Sequence, residues 1–322
     1  MSGSAQQQRD LSLLIVALLA SESCSRFADE GHHAGLEVDS DPAQNGELLD
    51  SEFVRIEPGS YSMGYTESDL DNWPVIAGEF CGCPAREITI TRPFMLQRHE
   101  VTRGQWLELM GTSPSMQVGC EDVRCPVDSV SWFNAVAFAN ARSEHDGFER
   151  CYDLSKCVGT PGSAEFRCST DLAFSLDCLG FRLATNAEFE YAARAGTTTF
   201  WWCGDDYDTC GRALASNWRQ DGKLPEAPWP TGSGRPNPWG LYDMTTNLQE
   251  WVWDLVPRDS ALDPSGVDPT TPRAGNAYPQ RALRGSAFSA SAEGFSSITY
   301  WASAPNNAWS DVGFRLSRTL AE

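Results

Sequence analysis

Basic residues and histidines are scarce in this 322-residue chain. It has Lys+Arg 24 against Asp+Glu 44, and 4 His, for a formal net charge of -20. That balance speaks against nucleic acid as a partner, because phosphates need a basic face. It suits a soluble surface that attracts cations. The histidines (His32, His33, His99, His145) show neither HxxxH nor HExxH spacing, and Cys81-Gly82-Cys83 lacks the two-residue gap of a zinc knuckle. Both absences argue against a His/Cys metal centre. No phosphate loop is evident: Gly232-Ser233-Gly234 runs into Arg235-Pro236, where proline prevents a helix start in the next turn. The chain shows no internal repeat, no Ser/Thr-His-Asp arrangement, and no cysteine after Cys210.

What is present at the N-terminus reads as an export signal. Leu11 to Ala20 is an apolar run of ten residues, too short to span a bilayer. Ser21 and Ser23 supply small residues, so cleavage after Ser23 would leave Cys24 first, the position lipidated in bacterial lipoproteins. Residues 1–23 are thus expected to be a signal peptide, and the protein to reach the bacterial periplasm or cell envelope with a possible lipid anchor at Cys24. Residues 24–50 carry seven acidic side chains (Asp29, Glu30, Glu37, Asp39, Asp41, Glu47, Asp50) and one Arg, the composition of a flexible acidic linker. Setting Cys24 aside, ten of the 11 cysteines remain, enough for five disulfides in an oxidising compartment. Cys120 with Cys125 and Cys203 with Cys210 form short-range pairs. The pairing among Cys151, Cys157, Cys168 and Cys178 stays open.

Globular patterning starts at Phe53-Val54-Arg55-Ile56, a strand, followed by a Pro58-Gly59 turn. Glu87 to Thr91 alternates as a second strand. Thr102 is placed to cap a helix that ends near Gly111, Ser131 opens a second, and a third runs from near Thr185 to a stop at Gly196. Beyond Gly196 the chain is rich in Gly, Pro and Trp, with little regular structure expected. The most informative stretch is Trp239 to Trp253, with three Trp, a Tyr and two carboxylates in fifteen residues. It fits neither a strand nor a helix period, so specific contacts should hold it. Asp243 and Glu250, with carbonyls between them, could wrap a hard cation such as calcium; alternatively the Trp fill a core and the carboxylates are surface caps.

Several ordered blocks carry a resemblance. Glu100-Val101-Thr102 with Trp106, Pro126-Val127 before Val130-Ser131-Trp132, and Ala135 make the first. Phe181-Arg182-Leu183-Ala184-Thr185-Asn186-Ala187-Glu188-Phe189-Glu190-Tyr191-Ala192-Ala193-Arg194 makes the second, and the Trp239–Trp253 stretch the third. Leu283-Arg284-Gly285-Ser286 and Gly313-Phe314-Arg315-Leu316 close the set. Together they resemble the formylglycine-generating-enzyme/sulfatase-modifying-factor (FGE-sulfatase) domain across about residues 51–322. The resemblance implies an α+β, C-type-lectin-like fold with low regular secondary structure, which the cysteines would staple. It also implies structural calcium, with Asp243 and Glu250 as side-chain ligands and Thr246 and Leu248 as carbonyl ligands. A second set matches Asn217, the carbonyl of Trp218, Asp221 and Lys223.

Catalysis departs from the family pattern. The sulfatase-activating members oxidise a substrate cysteine with two cysteines at a copper site, the first three residues beyond the RGGS block and the second five further on. Those positions are Ser289 and Gly294 here. Soft thiolates hold Cu(I), and neither a hydroxyl nor a glycine replaces them, so copper is not expected. A ligand cleft is placed by family position at Ser289, Tyr300, Trp301 and Trp309. Three functions remain open: a non-catalytic module binding a peptide, a glycan or an envelope protein; an oxidoreductase with altered chemistry; and a structural component of an envelope complex.

Overall fold

The computed structural model describes residues 51–65, 85–168, 172–214, 226–256, 265–271, 280–289 and 296–321. The chain divides into Met1–Pro42 and Ala43–Glu322, and every described residue belongs to the second unit. The stretches read as signal peptide and linker, Cys24, Cys81 and Cys83 lie outside the described residues, as do Asn217, Trp218, Asp221, Lys223 and Gly294. No described helix is long and apolar enough to cross a membrane.

Four helices and eleven strands are described: β1 Phe53–Ile56, β2 Gly59–Met63, β3 Arg86–Ile90, β4 Phe94–Gln97, α1 Arg103–Met110, α2 Trp132–His145, β5 Phe181–Leu183, α3 Asn186–Arg194, α4 Tyr207–Leu214, β6 Gln249–Leu255, β7 Gly266–Val267, β8 Arg281–Arg284, β9 Tyr300–Ser303, β10 Val312–Gly313 and β11 Leu316–Thr319. They form sheets ordered β1-β4-β11-β5, β10-β6-β8-β9 and β2-β3-β7. The architecture is the expected mixed α+β. The half after Gly196 is more regular than its composition implied, since it supplies α4 and six strands.

Helix starts follow local chemistry. Thr102 and Gln105 close a reciprocal capping box on α1, and Gly111 (φ 66) ends it in the left-handed region that glycine adopts freely. Ser131 caps α2 by accepting from the Asn134 N–H, and Thr185 with Glu188 closes a second capping box on α3. The α3 stop falls one residue earlier than the glycine suggested: Ala195 itself is left-handed (φ 47). In β3, Ile88 and Ile90 are buried while Glu87 is exposed, the alternation of a half-covered strand. In β6 nearly every residue is buried. Trp251 and Trp253 enter one core cluster and Val252 enters another. A strand covered on both faces shows no alternation, which is why the Trp239–Trp253 stretch fits no simple period.

The tryptophans also satisfy the core's polar groups. The Trp132 indole N–H donates to the Val252 carbonyl at 2.9 Å, and that of Trp251 to the Val130 carbonyl at 2.9 Å. Four disulfides staple the surrounding loops: Cys120–Cys125, Cys151–Cys178, Cys157–Cys168 and Cys203–Cys210. The two short-range pairs match expectation, and the open foursome resolves into a nested arrangement. That nested loop is docked on α2 by two buried amides. The Asn140 amide N–H donates to the Tyr152 carbonyl at 2.8 Å, and the Asn134 amide N–H to the Ser163 carbonyl at 2.8 Å.

Buried ion pairs tie the layers together. Arg182 binds Glu188 and Arg284 binds Glu190, each at 2.7 Å. Arg315 holds Glu250 in a two-pronged pair at 2.7 Å on each arm, with both side chains 1% exposed.

Replacing Cys151 and Cys178 by serine should remove about 3–4 kcal/mol, because that bridge constrains the longest of the four loops; an unchanged denaturation midpoint would contradict this. Arg315→Met should cost about 3–5 kcal/mol by leaving Glu250 buried without its partner. A double variant that also carries Glu250→Leu should recover part of the loss. If the double variant is the less stable of the two, the charge argument fails.

Candidate functional site

The segment from Asn237 to Glu250 is built by side chains that replace regular backbone pairing. The Asn237 Oδ1 accepts from the N–H groups of Trp239 and Leu241, and its amide donates to the Ala192 carbonyl at 2.7 Å. Asp243 (φ 58) and Asn247 (φ 68) both take left-handed backbone, which aspartate and asparagine tolerate better than most residues. The Asn247 side chain exchanges both hydrogen bonds with the backbone of Trp229, at 3.0 and 3.2 Å. The Asn247 carbonyl accepts from the Phe288 N–H at 2.8 Å. Gly285 (φ +68) lies so close that a Cβ there would meet the Met244 carbonyl oxygen at 3.1 Å and the Leu248 carbonyl oxygen at 3.6 Å. A glycine keeps the space beside these carbonyls open.

Three carboxylates converge electrostatically at this segment. Asp243 is 3% exposed, and Glu250 and Glu100 are 0% exposed. The Asp243 carboxylate accepts from the Gly232 N–H at 2.7 Å and from the Trp229 indole at 3.3 Å. Glu250 is held by Arg315. Both carboxylate oxygens of Glu100 are buried without a hydrogen-bond partner. Burial raises the Glu100 pKa well above the usual carboxylate range, and the charges of Asp243 and Glu250 raise it further. Burial likewise raises Asp243 and Glu250, while Arg315 pulls both down. Three buried carboxylates therefore face one guanidinium, a deficit of positive charge.

This environment fits the implied hard cation. The donors are all oxygen, the surroundings are negative, and the Thr246 hydroxyl is a further buried, unpartnered oxygen. A carboxylate has about four acceptor sites, so Glu250 keeps capacity beyond the two bonds from Arg315. Among the described residues no three His, Cys, Asp or Glu side chains gather around one point as metal ligands. A cation here would draw on two carboxylates and backbone carbonyls, the mixture expected of Asp243, Glu250, Thr246 and Leu248. Glu100 was read in the sequence only as part of a motif; what marks it is burial without a partner, which sequence does not display.

A groove of about 480 Å³ opens beside the same sheet, lined by Gln249, Gln280, Trp301, Asn307, Trp309 and Asp311 among others. Trp301 is 42% exposed and Trp309 53% exposed. Ser289 is exposed at its edge, its hydroxyl donating to the Asp311 carboxylate at 3.3 Å. Tyr300, grouped with these residues in the sequence, does not line the groove. It is 6% exposed and packs in the second core cluster, because neighbouring residues of a strand face opposite sides. A second cavity, of about 630 Å³, lies where α1 and α2 meet the disulfide-stapled loop, with Met110, Asn140 and Tyr152 in its wall.

Comparison with known proteins identifies the family. The family model for the sulfatase-modifying factor enzyme 1-like domain (FGE-sulfatase) matches residues 38–320, starting inside the stretch read as a linker. Chaperone protein LppX of Paenibacillus barcinonensis is 29% identical over 179 residues, 50% of this chain and 62% of that protein; the match thus spans less than two thirds of the relative. The formylglycine-generating enzyme of Mycobacterium tuberculosis is 27% identical over 247 residues, 66% of this chain and 77% of the enzyme. Among solved structures, Treponema denticola variable protein 1 superposes with a TM-score of 0.67 at 24% identity, covering 83% of this chain and 95% of that one, a likeness of fold. The chain belongs to the sulfatase-modifying-factor (FGE-sulfatase) family.

Proposed function

We propose that this protein is an exported, non-catalytic member of the family that binds a ligand or partner in the groove beside Ser289. The observation that carries this reading is the chemistry at the family's cysteine positions. Ser289 offers a hard hydroxyl, hydrogen-bonded to Asp311, where copper chemistry needs a soft thiolate, and Gly294 offers no side chain at all. The four disulfides suit an oxidising compartment, in keeping with export and with an anchor at Cys24. A second reading, binding of a protein client, draws on the relative named a chaperone and on the exposed Met116, Val118 and Val123.

Calcium completes the proposal. Asp243 and Glu250, with the carbonyls of Thr246 and Leu248, would hold one ion, and Asn217, Trp218, Asp221 and Lys223 would hold another. The ion would neutralise the buried carboxylates that Arg315 leaves uncompensated, a structural rather than a chemical task.

Melting with calcium and with a chelator checks the ion. Calcium should raise the melting temperature, and Glu100→Gln should narrow the gap by stabilising the ion-free form, since it replaces a buried carboxyl that has no hydrogen-bond partner and that repels Asp243 and Glu250 when ionised. An equal melting temperature with and without calcium, once the ion is shown to have left, contradicts the site. The catalytic question is read by incubating the purified chain with copper and a cysteine peptide that sulfatase-activating enzymes oxidise. No aldehyde should form by mass spectrometry; turnover to aldehyde would overturn the non-catalytic reading.

A further inference from the structure

The groove's two tryptophans differ from most of the others described. Trp106, Trp132, Trp239 and Trp253 pack against aromatic rings, and Trp229 and Trp251 are 1% exposed. Trp301 and Trp309 present their rings to solvent and stack on no other ring among the described residues. Trp309 is nonetheless fixed through its ring, and Trp301 is held by its backbone in a strand. The Trp309 indole N–H donates to the Ser303 hydroxyl at 3.0 Å, and its carbonyl accepts from Ser129 at 3.0 Å. Trp301 lies in β9, opposite Leu283 of β8. Fixed aromatic faces lose little freedom when a ligand covers them.

The polar groups around them narrow the ligand. Gln249, Gln280 and Asn307 each offer a donor and an acceptor, and Asp311 offers acceptors. The Asn307 amide is oriented by its bond to Ser303 at 3.0 Å. Among the described residues no Lys, Arg or His lines the groove, and the one ionisable side chain there is the acidic Asp311. A phosphate, sulfate or carboxylate ligand would meet no counter-charge there, in a chain of net charge -20. The matching chemistry is a neutral polyhydroxylated ring, with a C–H face to lie on indole and hydroxyls that both donate and accept. The volume lies within the range of small-molecule sites.

We propose that this groove binds a neutral oligosaccharide, stacked on Trp301 and Trp309 and hydrogen-bonded by Gln249, Asn307 and Asp311. The inference rests on the binding-module reading and gives it a ligand class. A peptide is the competing occupant, because β9 ends its sheet among the described residues and an extended chain could add to that edge. Edge pairing by main-chain bonds makes no use of two unstacked tryptophans, so the side chains favour the sugar.

The experiment titrates the full chain with cello-, xylo- and chito-oligosaccharides, with oligogalacturonate as the charged comparison, and follows Trp fluorescence and calorimetric heat. At least one neutral series should bind, and oligogalacturonate should bind more weakly or not at all. Trp301→Ala and Trp309→Ala should each weaken binding by about tenfold or more, with Asn307→Ala weakening it less, while a change at the exposed Leu107, Leu107→Gln, leaves it unchanged. Thermal melts of each variant separate lost binding from lost folding. The sugar assignment is overturned if no neutral series binds, or if both Trp variants bind as the parent does. A peptide library provides the separating arm. Peptide binding lost in the same Trp variants refutes the sugar and keeps the binding module, whereas no binding of either class removes both.

Discussion

The burial of three carboxylates against a single guanidinium is the constraint on which the second half of this molecule depends. Arg315, from the segment entering β11, reaches across to Glu250 at the start of β6 and also donates to the carbonyls of Gln97, Arg98 and Tyr242. One side chain thus joins the end of β4, the Asp243 turn and the central strand. A buried guanidinium tolerates such a position only when its donors are used, and here the fork is used on both sides. The arrangement leaves Glu100 and Asp243 without an equal share of positive charge. A bound hard cation would balance the charge that the protein's own residues do not.

The groove depends on the same strand. Gln249 precedes Glu250 in β6 and lines the groove, while its backbone N–H bonds the Asp311 carbonyl at 3.0 Å. Asp311 meets Ser289 at the groove edge. The charged cluster under β6 and the open surface beside it therefore share one backbone. A family scaffold can in this way keep its folded centre while the residues at the groove edge change.

Much of the fold was legible because its signals are local. Thr102, Ser131 and Thr185 mark helix starts by chemistry that acts within one turn, and the two short disulfide pairs join cysteines only a few residues apart. The nested pairing of Cys151, Cys157, Cys168 and Cys178 was not legible, since several connectivities satisfy the same spacing. The strand character of β6 was hidden by burial on both faces, and the six strands after Gly196 were hidden among glycines, prolines and tryptophans. At the site, motif position brought out Asp243, Glu250, Trp301 and Trp309. It also drew in Tyr300, which the strand turns toward the core. Glu100, Asn247 and Asp311 were missed as site residues because their roles come from neighbours far away in sequence.

We propose a cation-stabilised family scaffold that carries a binding groove in place of redox chemistry. Elemental analysis of the full chain, purified without chelator, tests this most directly. Calcium bound in stoichiometric amount with only trace copper and iron is the result expected. Stoichiometric copper or iron that survives dialysis would contradict it.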